Sequence, residues 1–409
     1  MEEVGESLKQ LFQQEFSKMV SVITRLFGLP HIELAEDIVS ETFLSATENW
    51  GQKGLPPNPT AWLYAVAKQK TLTHFRRNKI FESKVVPEIN NRQPLNEGPV
   101  LEFSSQHIKD SQLQMMFAVC APAVASEAQI GLALRILCGF GIEEIAEAFL
   151  SNKETINKRL FRAKEKLRKE NIRMELPPEN EMASRLDNVL HVIYLLFNEG
   201  YYSKTQNRIL RKELCFEAMR LGHLLTDYEK TNLPKTNALM ALMCFHASRF
   251  DARQKDDNPV LYEQQDESLW NQELIGQGVQ FLNISMSGNE VTTYHIEARI
   301  AFRHCHKDDT PEKWRDILDL YNQLLHVNYS PVVALNRVYA LYKVYGAKAA
   351  IQEAEELLLF NNHFYFVLLG ELYRHIDKEK SKTLFEKALQ MAGTDTERKA
   401  IQKKLAALS

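Results

Sequence analysis

The sequence predicts an all-α protein built from several domains. Apolar residues recur at spacings of three and four from Leu8 onwards, and no alternating strand pattern competes with them. Two stretches rich in proline and asparagine interrupt this periodicity, which indicates domain boundaries. With 409 residues and 44% hydrophobic content, the chain is long enough to bury more than one core.

The composition predicts a soluble, cytoplasmic protein. The net charge is only −3, so any affinity for nucleic acid must come from local basic patches. The five cysteines are scattered without a C-x-x-C pair, which argues against a disulfide framework and a zinc ribbon. The sequence shows no signal-peptide pattern and no membrane-length apolar run, so we expect no membrane partner.

The N-terminal segment predicts two helices, separated by a break at Gly28–Pro30. Ile38, Phe43 and Leu44 are available for burial on the second helix. We expect the acidic and hydroxyl side chains of its first turns to be exposed: Glu36, Asp37, Ser40, Glu41 and Thr42. The simplest interpretation is surface acid favoured by the helix dipole.

Residues Leu55–Lys79 predict a helix with Thr60 as its N-cap. Basic residues alternate with aromatic ones here, and no acidic residue intervenes. That combination suits single-stranded DNA, because cations follow phosphates while rings stack on unpaired bases. The alternative is that Trp62, Tyr64 and Val66 are simply core residues. The following stretch, 81–110, has the composition of a linker.

Residues Ile130–Lys169 predict a short helix, a turn and a basic helix. Ser151 stands three residues before Glu154, the spacing of a capping box. One apolar stripe follows, formed by Ile156, Leu160, Ala163 and Leu167. We expect the remaining polar side chains to face outwards: Lys153, Thr155, Asn157, Lys158, Arg159, Arg162, Lys164, Lys166 and Arg168.

A short helix, a tight turn and a basic helix are what a helix-turn-helix DNA reader requires. The second helix enters the major groove and its flanking cations hold phosphates. The alternative is a solvated amphipathic helix of an ordinary helical protein.

A second boundary follows at Asn171–Met182, and helical spacing continues from 183 to 409. The helix that contains VIYLLFNEG should end near Asn198 and Gly200. A period of 34 residues relates Leu335 to Leu369 and Ala354 to Ala388, which is the tetratricopeptide period. The alternative is a plain helical bundle without a groove.

These segments resemble, in order, the parts of bacterial RNA polymerase sigma factors of the extracytoplasmic-function type. ELAEDIVSETFLSA is similar to the helix that grips core polymerase, and ETINKRLFRAKEKLR to the promoter-reading C-terminal domain. YLLFNEGY and SPVVALNRVYAL are similar to the subgroup with a long helical extension. The resemblance implies region 2 over 1–80, a linker over 81–110, region 4 over 111–175 and a tetratricopeptide-like extension over 183–409.

The resemblance also implies residue roles. Core polymerase would be bound by Asp37 and Glu41. The −35 element would be read by Lys153, Thr155, Asn157, Lys158, Arg159 and Arg162. The −10 element would be melted and held by Trp62, Lys68, Lys70, His74, Arg76 and Arg77. Gln69 and Thr73 replace the Asn and Asp that often precede the final arginine pair in the family.

The sequence predicts no enzyme, no cofactor and no metal site. His304, Cys305 and His306 are adjacent, and neighbouring residues on a helix point about 100° apart. Asp266, Glu267, Glu273 and His295 form no recognisable catalytic motif. The expected partners are core RNA polymerase and promoter DNA, with a peptide or protein as a candidate partner of the extension. The alternatives are a helix-turn-helix regulator with a ligand- or peptide-sensing solenoid, and a pure scaffold.

Overall fold

A computed structural model describes residues 2–77, 101–202, 208–255, 258–260 and 262–408. The chain divides into two compact units, Met1–Thr231 and Asn232–Ser409. The predicted all-α fold is confirmed. In the described residues, the β structure is a ribbon of two paired two-residue strands, β1 (Gln254–Lys255) and β2 (Asn258–Pro259).

The first unit begins with three helices: α1 (Glu2–Phe27), α2 (Ile32–Lys53) and α3 (Pro59–Arg77). Gly28 has φ +86°, a conformation that favours glycine, and it reverses the chain between α1 and α2. The first turn of α3 is capped by Asn58, whose side chain accepts from the backbone N–H of Ala61 at 3.0 Å. The prediction of Thr60 as the cap was therefore wrong.

Two predictions for the second helix were also wrong. Glu36 and Thr42 are buried, whereas Leu44 is 60% exposed. The hydroxyl of Thr42 donates to the backbone carbonyl of Ile38, so its burial leaves no unsatisfied donor. Glu36 is buried because cations from later helices surround its carboxylate.

Four further helices follow in the first unit: α4 (Ser105–Val119), α5 (Ser126–Leu132), α6 (Ile142–Ala148) and α7 (Lys153–Lys169). A π-helical turn, Ala133–Leu137, extends α5. Most of the predicted linker, residues 81–100, lies outside the described residues. The last residues of that stretch, 105–110, form the first turns of α4.

Two more helices complete the first unit, α8 (Glu179–Tyr202) and α9 (Arg208–Thr226). Their side chains bind backbone carbonyls at the ends of earlier helices. Arg185 donates to the carbonyl of Phe117 at 2.7 Å, and Arg220 donates to that of Leu137 at 2.6 Å. The first two helices of the C-terminal extension thus pack against α4 to α6.

Gly200 does not end its helix, because α8 continues to Tyr202. The prediction of a helix end at Asn198 and Gly200 was wrong, and packing explains why. A Cβ at Gly200 would lie 2.6 Å from the carbonyl oxygen of Arg211 and 2.7 Å from Sγ of Cys215. The glycine permits α8 and α9 to approach closely.

The second unit consists mainly of helices, which pack chiefly against their neighbours in the chain. They are α10 (Pro234–Ala247), α11 (Gln272–Ser285), α12 (Thr293–Arg303), α13 (Pro311–Val327), α14 (Pro331–Tyr345), α15 (Ala347–Glu356), α16 (His363–Tyr373), α17 (Lys378–Met391) and α18 (Asp395–Ala406). Among the residues that the structure describes, no helix is long and apolar enough to span a membrane.

Residues related by the 34-residue period occupy matching places in two helix pairs, α14–α15 and α16–α17. Leu335 and Leu369 are buried on the first helix of each pair, and Ala354 and Ala388 on the second. Gly370 lies against Phe385, where a Cβ would come within 2.9 Å of the ring. The 34-residue period of the sequence therefore corresponds to a repeated pattern of buried residues in the two helix pairs.

Candidate nucleic-acid and polymerase interface

The basic helix α7 follows α6 after a short turn. Leu150 in this turn has φ 47°, and Asn152 caps α7 by accepting from the backbone N–H of Thr155 at 2.8 Å. The predicted cap, Ser151, was therefore one residue too early. The predicted apolar stripe is fully buried against the neighbouring helices: Ile156, Leu160, Ala163 and Leu167. Burial of this stripe fixes which side of α7 faces outwards.

Most of the residues assigned to −35 recognition lie on the solvent side of α7. Lys153, Thr155, Asn157, Lys158 and Arg162 are exposed. Lys153 is ion-paired with Glu143, and Lys158 lies 3.7 Å from Glu154. Because these ion pairs are exposed, they are weak and can be exchanged for phosphate contacts.

Arg159 differs from its neighbours because it is half-buried. Its guanidinium lies 3.3 Å from the carboxylate of Glu127 and above the ring of Phe149. Arg159 therefore joins α7 to α5 and to the turn. Arg159 therefore stabilises the packing of this region, in addition to any contact that it makes with DNA.

A groove of about 510 Å³ runs along this side of α7. Part of its lining consists of small apolar side chains: Ala123, Val124, Ala125, Ala128 and Ala163. Its rim includes Thr155, Lys158, Arg159, Arg162 and Lys166. Cations beside small apolar side chains suit a polyanionic backbone and the flat edges of bases.

Lys164 and Arg168 do not face outwards with the rest of the basic helix, so this prediction was wrong. Lys164 Nζ lies 2.5 Å from the carboxylate of Glu36, and Arg168 pairs with Glu33. Arg168 also donates to the backbone carbonyl of Pro30 at 3.0 Å. Both cations are one helical turn apart and flank the apolar stripe, so burial of the stripe brings them against α2.

Arg135, at the π-helical turn, completes this contact. Its Nε lies 3.0 Å from the carboxylate of Glu36, and its NH1 donates to the carbonyl of Phe140. The carboxylate of Glu36 is thus held between two cations, Arg135 and Lys164. We call the four side chains Glu33, Glu36, Lys164 and Arg168 the latch.

The outer side of α2 carries the residues assigned to polymerase binding. Asp37 and Glu41 are both exposed, and Glu41 lies 3.3 Å from Lys70 of α3. Leu44, one turn further on, is exposed on the same side. The prediction that Leu44 is buried was therefore wrong, and its i+7 spacing from the exposed Asp37 indicates the solvent side instead.

The residues assigned to −10 DNA are distributed along α3. The ring of Trp62 is half-buried and packs edge-on against the ring of Trp50, with 5.3 Å between the ring centroids. Lys68 is exposed. His74 is half-buried against the ring of Phe27. Arg76 and Arg77 are at the end of α3, and their side chains lie outside the described residues.

Tyr64 links α3 to the core of the first helices. Its hydroxyl donates to the carboxylate of Glu15, and its ring stacks on Phe103 at 4.7 Å. Burial, together with the neighbouring carboxylate, raises the pKa of the Tyr64 hydroxyl well above its usual value. Tyr64 is partly buried and packs against the core, and Trp62 is likewise partly accessible.

The metal interpretation finds no support in the described part of the chain. There, no group of three or more histidine, cysteine, aspartate or glutamate side chains is arranged to hold an ion. His304, Cys305 and His306 are adjacent at the end of α12, and the Cys305 thiol donates to the carbonyl of Ala301.

Comparisons with known proteins give matches over two segments of the chain. Residues 11–80 match sigma-70 region 2, and residues 185–286 match a family of unknown function (DUF6596). An uncharacterised protein of Rhizobium meliloti (strain 1021) is 32% identical over 383 residues, covering 92% of this chain and 90% of that protein. No solved structure matches the chain. The chain therefore shares a family with the uncharacterised Rhizobium protein, and the match to sigma-70 region 2 at its N-terminus supports a sigma-70 family factor.

Proposed function

We propose that the protein is a promoter-specificity subunit of RNA polymerase, of the extracytoplasmic-function type. The observation that carries this proposal is that one helical unit exposes an acidic side of α2, which also bears Leu44, and a basic side of α7. The side of α2 with Asp37, Glu41 and Leu44 would bind core polymerase. The outer side of α7 would read the −35 element as the second helix of a helix-turn-helix.

Helix α3 would hold the −10 element once the duplex opens. Lys68 is exposed and Trp62 is partly accessible, so a cation and a ring are available for phosphate and base contacts. Lys70 is engaged with Glu41 in an exposed pair, which a phosphate can replace. In this proposal the protein acts in the cytoplasm without a cofactor, and core polymerase performs the chemistry of RNA synthesis.

Binding experiments distinguish this function from that of a regulator acting without polymerase. A labelled promoter fragment is titrated with the protein alone, with core polymerase alone and with both. A sigma factor should give sequence-specific binding only when both are present. Tight, specific duplex binding by the protein alone would refute the proposal and favour the helix-turn-helix regulator.

We further propose that the latched arrangement is a resting state. The −10 and −35 elements are about 25 base pairs apart, which is roughly 85 Å of B-form DNA at about 3.4 Å per base pair. In the structure, Lys164 of α7 touches Glu36 of α2. Helices α7 and α2 in direct contact lie far closer together than this, so α7 must leave α2 when both promoter elements are bound at once.

The C-terminal extension would control this step. Helices α8 and α9 hold α4 to α6 through the carbonyls of Phe117 and Leu137, so a change in the extension would reach the DNA-reading helices directly. The later helix pairs would form a tetratricopeptide-like surface for a peptide or protein partner. Deleting all residues after Thr231 tests the control, and unaltered promoter-dependent transcription would refute it.

Distance measurement tests the opening itself. Spin labels at Glu48→Cys on α2 and Lys169→Cys on α7 are practical, because both sites are exposed and the native cysteines are buried. The free protein should give one short distance. The complex with core polymerase and promoter should give a distance beyond about 50 Å, given the ~3.4 Å rise per base pair. The same short distance in both states would refute the opening.

A further inference from the structure

The second unit contains a group of cationic side chains around the ring of Tyr262, near the C-terminal end of α10. The guanidinium of Arg249 and the ammonium group of Lys313 each lie 5.5 Å from the ring centroid. The rings of His304 and Trp270 lie 5.1 Å and 6.2 Å from it. Four nitrogen-bearing side chains thus surround one aromatic ring.

Arg249 is a buried cation whose hydrogen-bonding groups are incompletely satisfied. It is only 8% exposed, and its Nε has no hydrogen-bond partner. In the described part of the chain, no carboxylate forms an ion pair with its guanidinium. A guanidinium cannot shed its proton at physiological pH, so its burial is costly unless an anion compensates the charge.

The neighbouring polar atoms show the same deficit. Trp270 Nε1 and His304 Nδ1 are buried without a hydrogen-bond partner. Lys313, by contrast, is satisfied, because it donates to the carbonyls of His306 and Asp308. Arg249, His304 and Trp270 therefore each keep one unsatisfied buried nitrogen.

Cations lie close to the buried histidines of this cluster. Burial and the nearby cations lower the pKa of His304 to about 3, and the same causes lower the pKa of His246. Glu267 and Asp308 are the acidic groups that act on Tyr262, and neither is ion-paired with Arg249. An anionic ligand would supply a compensating charge that no described carboxylate supplies to Arg249 by ion pairing.

We propose that the second unit binds a small oxyanion, a carboxylate or phosphate group, at Arg249 beside Tyr262, His304 and Trp270. A guanidinium offers two parallel N–H donors that match both kinds of group. The indole N–H and one imidazole nitrogen would add neutral donors, and Tyr262 would hold the guanidinium through a cation–π contact. This inference does not depend on the proposed role in transcription.

The four tryptophans of the chain provide an internal control. Trp270 packs near the ring of Tyr262, and Trp314 packs against the ring of His304. Trp50 and Trp62 lie on α2 and α3. The full chain is labelled with 5-fluorotryptophan and titrated with sodium phosphate and with sodium acetate, at an ionic strength held constant with sodium chloride. The four ¹⁹F resonances are assigned with single Trp→Phe variants.

Saturable shifts of the Trp270 resonance, with Trp50 and Trp62 unmoved, are the expected result. The response should disappear in Arg249→Gln and persist in Arg315→Gln, which changes an exposed arginine of α13. A response to phosphate alone or acetate alone would identify the oxyanion class. No saturable shift with either anion, or equal shifts at all four tryptophans, would overturn the proposal.

A second variant covers the case in which Arg249→Gln does not fold, as judged by loss of dispersed resonances. Arg249→Lys keeps the charge and removes the two-pronged donor geometry. It should bind the active anion at least about tenfold more weakly, since a bidentate charged contact is worth more than about 1.4 kcal/mol. Unchanged affinity for the anion in Arg249→Lys would overturn the assignment.

Discussion

The ammonium group of Lys164 lies 2.5 Å from the carboxylate of Glu36, and both side chains are about nine-tenths buried. The two residues are 128 positions apart in the sequence and join α7 to α2. A buried ion pair of this kind commits two segments to each other, because separating them requires rehydration of both charges. The contact therefore couples the surface proposed for −35 DNA to the helix proposed for polymerase.

Replacing Glu36 tests this coupling. Glu36→Gln leaves Lys164 and Arg135 without their shared carboxylate in a buried contact, which should weaken the packing of α7 on α2 by about 3 kcal/mol. Hydrogen exchange of α7 amides should accelerate accordingly. Glu48→Gln, an exposed change on the same helix, is the control. Unchanged exchange in Glu36→Gln would show that the latch does not hold α7.

Arg162 is the best single probe of the proposed DNA surface, because it is exposed on the groove rim while Arg159 also stabilises the fold. Arg162→Ala should weaken promoter binding by the polymerase complex by about 1–3 kcal/mol and reduce the salt slope by about one. Binding is measured at several salt concentrations. Arg315→Ala, a change in the second unit, should have no effect. A wild-type slope in Arg162→Ala would remove Arg162 from the interface.

Leu44 is predicted to contact core polymerase, since it is 60% exposed on the same side of α2 as Asp37 and Glu41. Leu44→Asp should lower the affinity for core polymerase at least about tenfold, as expected for an apolar anchor. Val332→Asp is a matched control, because Val332 is also 60% exposed and lies in the second unit. Equal affinities of the two variants for core polymerase would contradict the assignment.

The local features of α7 could be predicted from the sequence, whereas its tertiary partners could not. The buried stripe follows from the 3.6-residue period alone, and so does the solvent side with Lys158 and Arg162. Lys164 has the same residue type as the exposed lysines around it. Only the partner helix distinguishes it, and Glu36 stands 128 residues away.

The same limit explains the errors at Leu44 and Gly200. An apolar residue in a helical pattern predicts burial, yet Leu44 lies on the side of α2 that no described helix covers. A glycine near a turn-like sequence predicts a helix end, yet Gly200 serves a close crossing with α9. A period shows which residues share a side, and the tertiary packing decides what that side meets.

Gly200→Ala should destabilise the first unit, because its Cβ would collide with the backbone of α9 and with Cys215. Overpacking of this kind costs about 1–3 kcal/mol. Gly276→Ala is the control, since a Cβ at this helical position meets nothing within 4 Å and should be neutral or stabilising by up to about 1 kcal/mol. Chemical denaturation measures both variants. A Gly200→Ala protein as stable as wild type would contradict the close crossing.

The stability of the second unit should fall as the pH is lowered from 6.5 to 5. His304 has a folded-state pKa of about 3, and the pKa of His246 is also lowered, so only the unfolded chain takes up these protons in that interval. Each such histidine contributes a slope of up to about 1.4 kcal/mol per pH unit. Denaturation midpoints at pH 5 to 7 measure it. His304→Gln should reduce the slope, and an unchanged slope would contradict burial of the neutral imidazole.

Run-off transcription tests the central claim most directly. Purified core RNA polymerase transcribes a library of genomic fragments with and without the protein, and the transcript ends are sequenced. New, discrete start sites that require the protein are the predicted result, and their upstream sequences would reveal both promoter elements. The absence of new transcripts, with the protein alone still binding duplex DNA specifically, would contradict the sigma-factor role.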